Sequence, residues 1–187
     1  MNKSEAYEVY AKSFKIVENL LEAGLLKKTI ETSPDNDSIV YTHLHRQTIF
    51  NLGDTLGIPA RSMYKDHDLN KVVMYIAGAL KASEAHRLIS EHHNRNTKDE
   101  KVLTEMLLDW ESARFTKPDK PLNAYDTLHK YYKDMETRMM PILKKYSLDK
   151  PTNYSEAVTV EQFNEMKKHV DINDIVREVE NYIRQEK

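Results

Sequence analysis

Cysteine is absent from the chain. That removes disulfides, thiolate metal ligands and a thiol nucleophile together, and makes a reducing compartment natural. Any metal chemistry must come from histidine and carboxylate. Glycine is scarce, with 4 in 187 residues, so tight hairpin turns are poorly supplied and a β architecture is disfavoured. An excess of one charge is also missing: 28 basic against 30 acidic residues leave a formal net charge of -2, and no global basic field points to long nucleic acid. No apolar run approaches the roughly 18 residues of a membrane span, and no secretory apolar core follows Met1-Asn2-Lys3-Ser4-Glu5. The expectation is a cytoplasmic protein without a membrane partner.

What is present is helix-compatible. Charged residues make up 31% of the chain, and apolar residues recur at helical rather than alternating steps, so the fold class is all-α. Tyr7, Tyr10, Phe14, Val17, Leu20 and Leu21 give a first helix from Ser4 to about Ala23, stopped at Gly24. The polar stretch 29–38 reads as a loop. A second helix runs from about Ile39 to Leu52 and ends near Gly53. Pro59 opens a short helix through Tyr64, with His67 and Asp68 at or just past its end. Asn70 is placed to cap a long helix from Lys71 to His93.

Thr97-Lys98-Asp99-Glu100 has the form of a capping box for a helix to about Phe115. Asn123 is placed to cap a further helix to about Tyr146, which Pro141 should kink or divide. The sequence then turns polar, which suggests a helical domain over 1–148 and a small helical appendage over 149–187. Within the appendage, Thr159 heads a second capping box and Asp171 caps a last helix to about Arg184. The appendage carries no ligand cluster, so its expected role is packing or oligomerisation, and a homodimer stays open.

The chemistry-bearing residues are spread along these helices: His45, then His67-Asp68, His86, His92-His93 and Asp109. Any one of them taken singly reads as a hydrogen-bonded structural residue. Taken jointly, they have the composition from which helical bundles build metal sites, with side chains converging from facing helices. His43 and His45 stand two apart and point in different directions on a helix; His45, beside the apolar stripe of Ile49 and Leu52, is the inward candidate and His43 the reserve. His93 lies seven residues after His86 and returns to nearly the same face, whereas His92 turns away toward substrate or solvent. Asp109, set among Met106, Leu107 and Trp110, must be paired, ligated or turned out. Lys71, Arg114, Lys117 and Lys120 are candidate cations for a phosphate.

The order His45, His67-Asp68, Asp109 resembles the signature of the HD superfamily of metal-dependent phosphohydrolases, a His, then a His-Asp dipeptide, then a distant Asp. The resemblance reaches the two-metal branch, where intermediate histidines hold a second ion; His86 and His93, or His92, would fill those places. Still closer is a family of uncharacterised bacterial and phage proteins with His-Asp-x-x-Lys, His followed six residues on by His-His, and Asp-Trp. Here these read His67-Asp68-Leu69-Asn70-Lys71, His86 with His92-His93, and Asp109-Trp110. The likeness covers roughly residues 40 to 115. In the well-studied two-metal enzymes the intermediate histidines are spread further apart than here.

The resemblance implies an HD-like helical bundle around a metal site. It implies one or two divalent ions per chain, held by His45, His67, Asp68, His86, His93 and Asp109. Asp68 would also orient the attacking water, with Lys71 beside it, and Lys71, His92, Arg114 and Lys117 would face a small phosphorylated substrate, a nucleotide first of all. Mixed histidine and carboxylate ligation suits Mn, Fe, Co, Ni, Zn or Mg without choosing among them. Two other functions share the pattern: a phage or bacterial protein that sequesters a ligand or host protein on a non-catalytic HD-like fold, and an HD-type di-iron oxygenase. Fold alone does not separate the three.

Overall fold

A computed structural model describes residues 1–26 and 36–185, and the part of the predicted 29–38 loop before Asn36 lies outside the described residues. Among the described residues there is no strand, and the fold is all-α: α1 (Lys3–Glu22), α2 (Asn36–Leu56), α3 (Arg61–Ala77), α4 (Ala79–Ile89), α5 (Glu100–Thr116), α6 (Ala124–Tyr131), α7 (Glu136–Lys145), α8 (Val160–Lys168) and α9 (Ile172–Gln185). The chain forms two compact units, one of Met1–His43, Tyr64–Ser90 and His169–Lys187, the other of Leu44–Met63 and Glu91–Lys168.

In the first unit, α1 begins with a complete capping box, Asn2 accepting from the Glu5 amide at 2.9 Å while the Glu5 carboxylate accepts from the Asn2 amide at 2.7 Å. Its buried face is Ala6, Tyr10, Ser13 and Val17, so Tyr7, expected in the stripe, is instead exposed. Small residues let α1 approach α4 closely, Ala6 and Tyr10 meeting Ala82 and Ala85. The strongly amphipathic α9 buries Val176, Val179, Tyr182 and Ile183 against Val17 and Val72. Asp171 caps it as expected, accepting from the Asn173 amide at 2.8 Å.

The helix expected from Lys71 to His93 is in fact two helices and a turn. Residues 61–77 form one continuous helix carrying His67, Asp68 and Lys71 inside it. The break falls at Gly78, whose φ of 84° lies in a region closed to ordinary side chains. Asn70 is therefore not a cap. It is buried within α3, where its side-chain oxygen accepts a hydrogen bond from the Tyr10 hydroxyl at 3.4 Å.

In the second unit, α5 is the central helix, buried on opposite sides. Leu103, Leu107 and Trp110 join Leu128, Met139 and Leu143 in one core, while Leu108 joins Ile49, Ile58 and Met63 in another. Its N-cap is Asp99, which accepts from the Lys101 amide at 2.8 Å, so the box expected at Thr97 and Glu100 is displaced by a tighter acidic cap. Asn123 does cap α6. The following helix divides at Tyr132 rather than Pro141, because the Tyr132 ring stacks on Trp110 at 4.5 Å and lies under the Arg95 guanidinium. That tertiary clamp holds a non-helical backbone, whereas Pro141 sits exposed inside α7. Nor does α2 stop at Gly53: the helix continues to Leu56, and the turn is made at Gly57 with φ 69°.

Candidate metal centre

The second unit places His45 on α2 and Asp109 on α5, with Nε2 of His45 2.9 Å from Oδ1 of Asp109. Both heavy atoms sit among packed side chains, His45 being buried and Asp109 half-buried. The other nitrogen of the ring, Nδ1, lies 3.1 Å from Thr116 Oγ1 and 3.3 Å from Ser112 Oγ. Those hydroxyls give their own hydrogens to backbone carbonyls, Ser112 to Asp109 at 2.9 Å and Thr116 to Ser112 at 3.2 Å. The His45 ring is thus held from both sides, by two hydroxyls at Nδ1 and by a carboxylate at Nε2.

Burial pushes the Asp109 carboxyl up, but the His45 hydrogen bond and charge, with His93 and His92 adding theirs, outweigh it and hold the group well below the usual carboxylate range. Three imidazoles of one unit thus act on a single carboxylate. His92 and His93 occupy a single 3-10 turn, Glu91–His93, with ring centroids 4.4 Å apart. His86 belongs to α4, so the helical phase expected to favour His93 over His92 does not apply: the backbone changes form between them. Of the two, His92 is the more buried.

The first unit holds the remaining candidates. His67 and His86 approach with ring centroids 5.6 Å apart, and His86 Nδ1 lies 2.9 Å from Ser90 Oγ. Asp68 meets Lys71, three residues on, at 3.1 Å. The Lys71 side chain is 0% exposed and also meets Glu178 of α9 at 2.8 Å. The same Glu178 oxygen lies 3.0 Å from Nδ1 of His43. His43 and His45, both buried, therefore have different partners, as their spacing demands. Glu178 carried no signal in the sequence: it stands 107 residues from Lys71 and 135 from His43, beside the apolar face of an ordinary amphipathic helix.

Groups of histidine and aspartate that could hold a metal ion are present among the described residues, and Asp68 belongs to none of them. The donor set fits a divalent ion of the Mn to Zn series. Two ligands each about 2.1 Å from an octahedral ion stand about 3.0 Å apart, and the His45 to Asp109 separation of 2.9 Å nearly equals that edge. The hydroxyls behind Nδ1 supply the outer hydrogen bond that a ligating imidazole ordinarily makes.

The cations expected at a phosphate are placed differently from one another. Arg114 is engaged by Glu111 at 2.7 Å and Glu156 at 2.5 Å, with its guanidinium over the Phe115 ring, so its fork already holds carboxylates. Lys71 is engaged as described. Lys117 is half-buried just past α5, and burial, aided by the Lys120 charge, lowers its ammonium to about 8. Lys120 is exposed. Among the described residues, no helix is long and apolar enough to cross a membrane. In comparisons with known proteins, no family, no curated protein and no solved structure matches the chain.

Proposed function

We propose that the chain is a metal-dependent phosphohydrolase of the HD type, acting in the cytoplasm on a small phosphorylated compound of the nucleotide class. The observation that carries the reading is the His45 to Asp109 pair, a buried imidazole Nε2 and a carboxylate oxygen 2.9 Å apart. The second support is the order His45, His67-Asp68, Asp109 and its resemblance to the HD signature.

On this reading His45 and Asp109 of the second unit hold a divalent ion, and His67, Asp68, His86 and His93, or His92, are the further donors that the resemblance implies. A bound divalent ion in such a site supplies an acidified water and polarises a phosphoryl oxygen. The chain's own groups do the rest. Ser112 and Thr116 hold the His45 ring at Nδ1, and Lys71 pairs with the Asp68 carboxylate. Lys117, whose ammonium is lowered to about 8 and still mostly charged at physiological pH, is the cation for the phosphate.

Metal analysis of purified protein, followed by a phosphate-release screen over nucleotides with Mn, Fe, Co, Ni, Zn and Mg, tests the proposal. Release that is abolished by His67→Ala and by Asp68→Asn is the expected result. Metal bound with no turnover of any phosphorylated compound would turn the reading to a sequestering protein, and an oxidised product formed only with iron and oxygen would turn it to an oxygenase.

A further inference from the structure

His45 is gripped from two directions by a single helix. Asp109, Ser112 and Thr116 all belong to α5, Ser112 three residues after Asp109 and Thr116 four after Ser112, spacings that return side chains to one helical face. From that face the Asp109 carboxylate meets Nε2 of His45 at 2.9 Å, while the Thr116 and Ser112 hydroxyls meet Nδ1 at 3.1 and 3.3 Å. All four residues lie in the second unit. Ser112 and Thr116 are both 0% exposed. Serine and threonine inside a helix commonly satisfy their hydroxyls on a backbone carbonyl one turn back, and both do so here, at 2.9 and 3.2 Å. Their contact with the imidazole is therefore additional to what burial of a hydroxyl requires.

We infer that Ser112 and Thr116 are a redundant pair of positioning residues for the ion site, acting by fixing the rotation of the His45 ring. An imidazole turned half a revolution about χ2 exchanges Nδ1 with Cδ2 and carries Nε2 away from Asp109. A ring carbon is a poor partner for a hydroxyl, so the polar pair selects one of the two orientations. Because both hydroxyls address the same nitrogen, either one maintains that selection alone. The inference rests on the reading of His45 and Asp109 as ion donors, and it adds that α5 supplies both the carboxylate and the groups that aim its partner.

The test compares wild type with Ser112→Ala, Thr116→Val and the double variant, which keep the packing close to the original and remove the hydroxyls. Thr104→Val is the control, another buried threonine of α5 whose hydroxyl donates one turn back, to the Glu100 carbonyl at 2.7 Å. Affinity for Mn and Co is measured by calorimetry, together with helicity and with phosphate release. The expected result is a loss of ion affinity of about tenfold or more in the double variant at unchanged helicity, and of about threefold or less in either single variant. Ser112→Ala/Thr116→Ser, which returns one hydroxyl, recovers the affinity of the Ser112→Ala single variant, and Thr104→Val matches wild type. Equal ion affinity in the folded double variant and wild type, or a loss that the returned hydroxyl does not recover, overturns the inference and leaves the hydrolase reading intact. A loss in each single variant as large as in the double overturns the redundancy. Wild type that binds ions without releasing phosphate, with the expected pattern of affinities, overturns the hydrolase reading alone. Wild type that binds no ion overturns both. Should the double variant fail to fold, Ser112→Ala/Thr116→Cys takes its place with the same readouts, since a thiol fills the volume and is a weak hydrogen-bond partner.

Discussion

His45 and Asp109 face one another across 2.9 Å through Nε2 and Oδ1, although they are 64 residues apart in sequence. A proton can bridge them, but so can a divalent ion with almost no movement of either side chain. Asp109→Asn exchanges the carboxylate for an amide of the same shape and removes the anionic ligand. Ion binding by calorimetry should fall at least tenfold. Urea unfolding of the ion-free protein should show a smaller loss, about 1–3 kcal/mol, because His45 keeps a polar neighbour but loses its charged one.

Ion binding to the folded chain alone stabilises it by mass action. At an ion concentration one hundred times its Kd the gain is about 2.7 kcal/mol. For a chain of this size that corresponds to a rise in Tm of about 5–10 °C. Thermal melts with and without Mn, Co or Zn should show the rise, and chelation should reverse it. A Tm indifferent to every ion would speak against a resident metal.

Lys117 offers a pH dependence of defined sign. Burial first, and the Lys120 charge second, lower its folded value to about 8 from an ordinary 10.5. Between those two values the unfolded chain binds more protons than the folded one, so this group makes stability rise with pH across that window. Below about 8 the charge is present in both states and the penalty is full. Lys117→Met should therefore raise Tm at pH 7 and narrow its advantage over wild type toward pH 10. The quantity to read is the difference between the two melts at each pH, since other groups titrate in both.

Gly53 is a packing requirement inside α2. A Cβ there would stand 2.8 Å from the Ile58 carbonyl oxygen and 3.2 Å from the Ala60 Cβ, and backbone cannot yield as a flexible side chain does. Gly53→Ala should cost about 1–3 kcal/mol in urea unfolding. At Gly57 the space is open and the cost is conformational, because φ is 69°. Gly57→Ala should lose about 1–2 kcal/mol by the same measurement.

What could be read in advance follows from range. Signals within one helix turn were legible: the caps at Asn123 and Asp171, and the reciprocal box at Thr159 and Gln162, all form, and α1 and α9 run nearly where their apolar periods place them. Signals that depend on a distant partner were not. Asn70 looks like a cap until Tyr10 is seen above it, Tyr132 looks helical until Trp110 and Arg95 clamp its ring, and Gly53 looks like a stop until Ala60 packs on it. At the candidate site, the types and order of His45, His67, Asp68 and Asp109 were apparent, because ligand chemistry restricts the residue types. Glu178 was invisible, since a carboxylate on a charged helix has no local mark of being buried against Lys71.

The first unit is stitched from three separated stretches, 1–43, 64–90 and 169–187. During synthesis, Val17 and Val72 emerge long before Val176 and Val179, the residues that will cover them. A nascent chain halted after residue 168 has already made every residue of the second unit, yet it still displays a bare greasy face on the first. Chaperones and aggregation compete for that face until α9 arrives, so translation speed through residues 91–168 sets how long the exposure lasts.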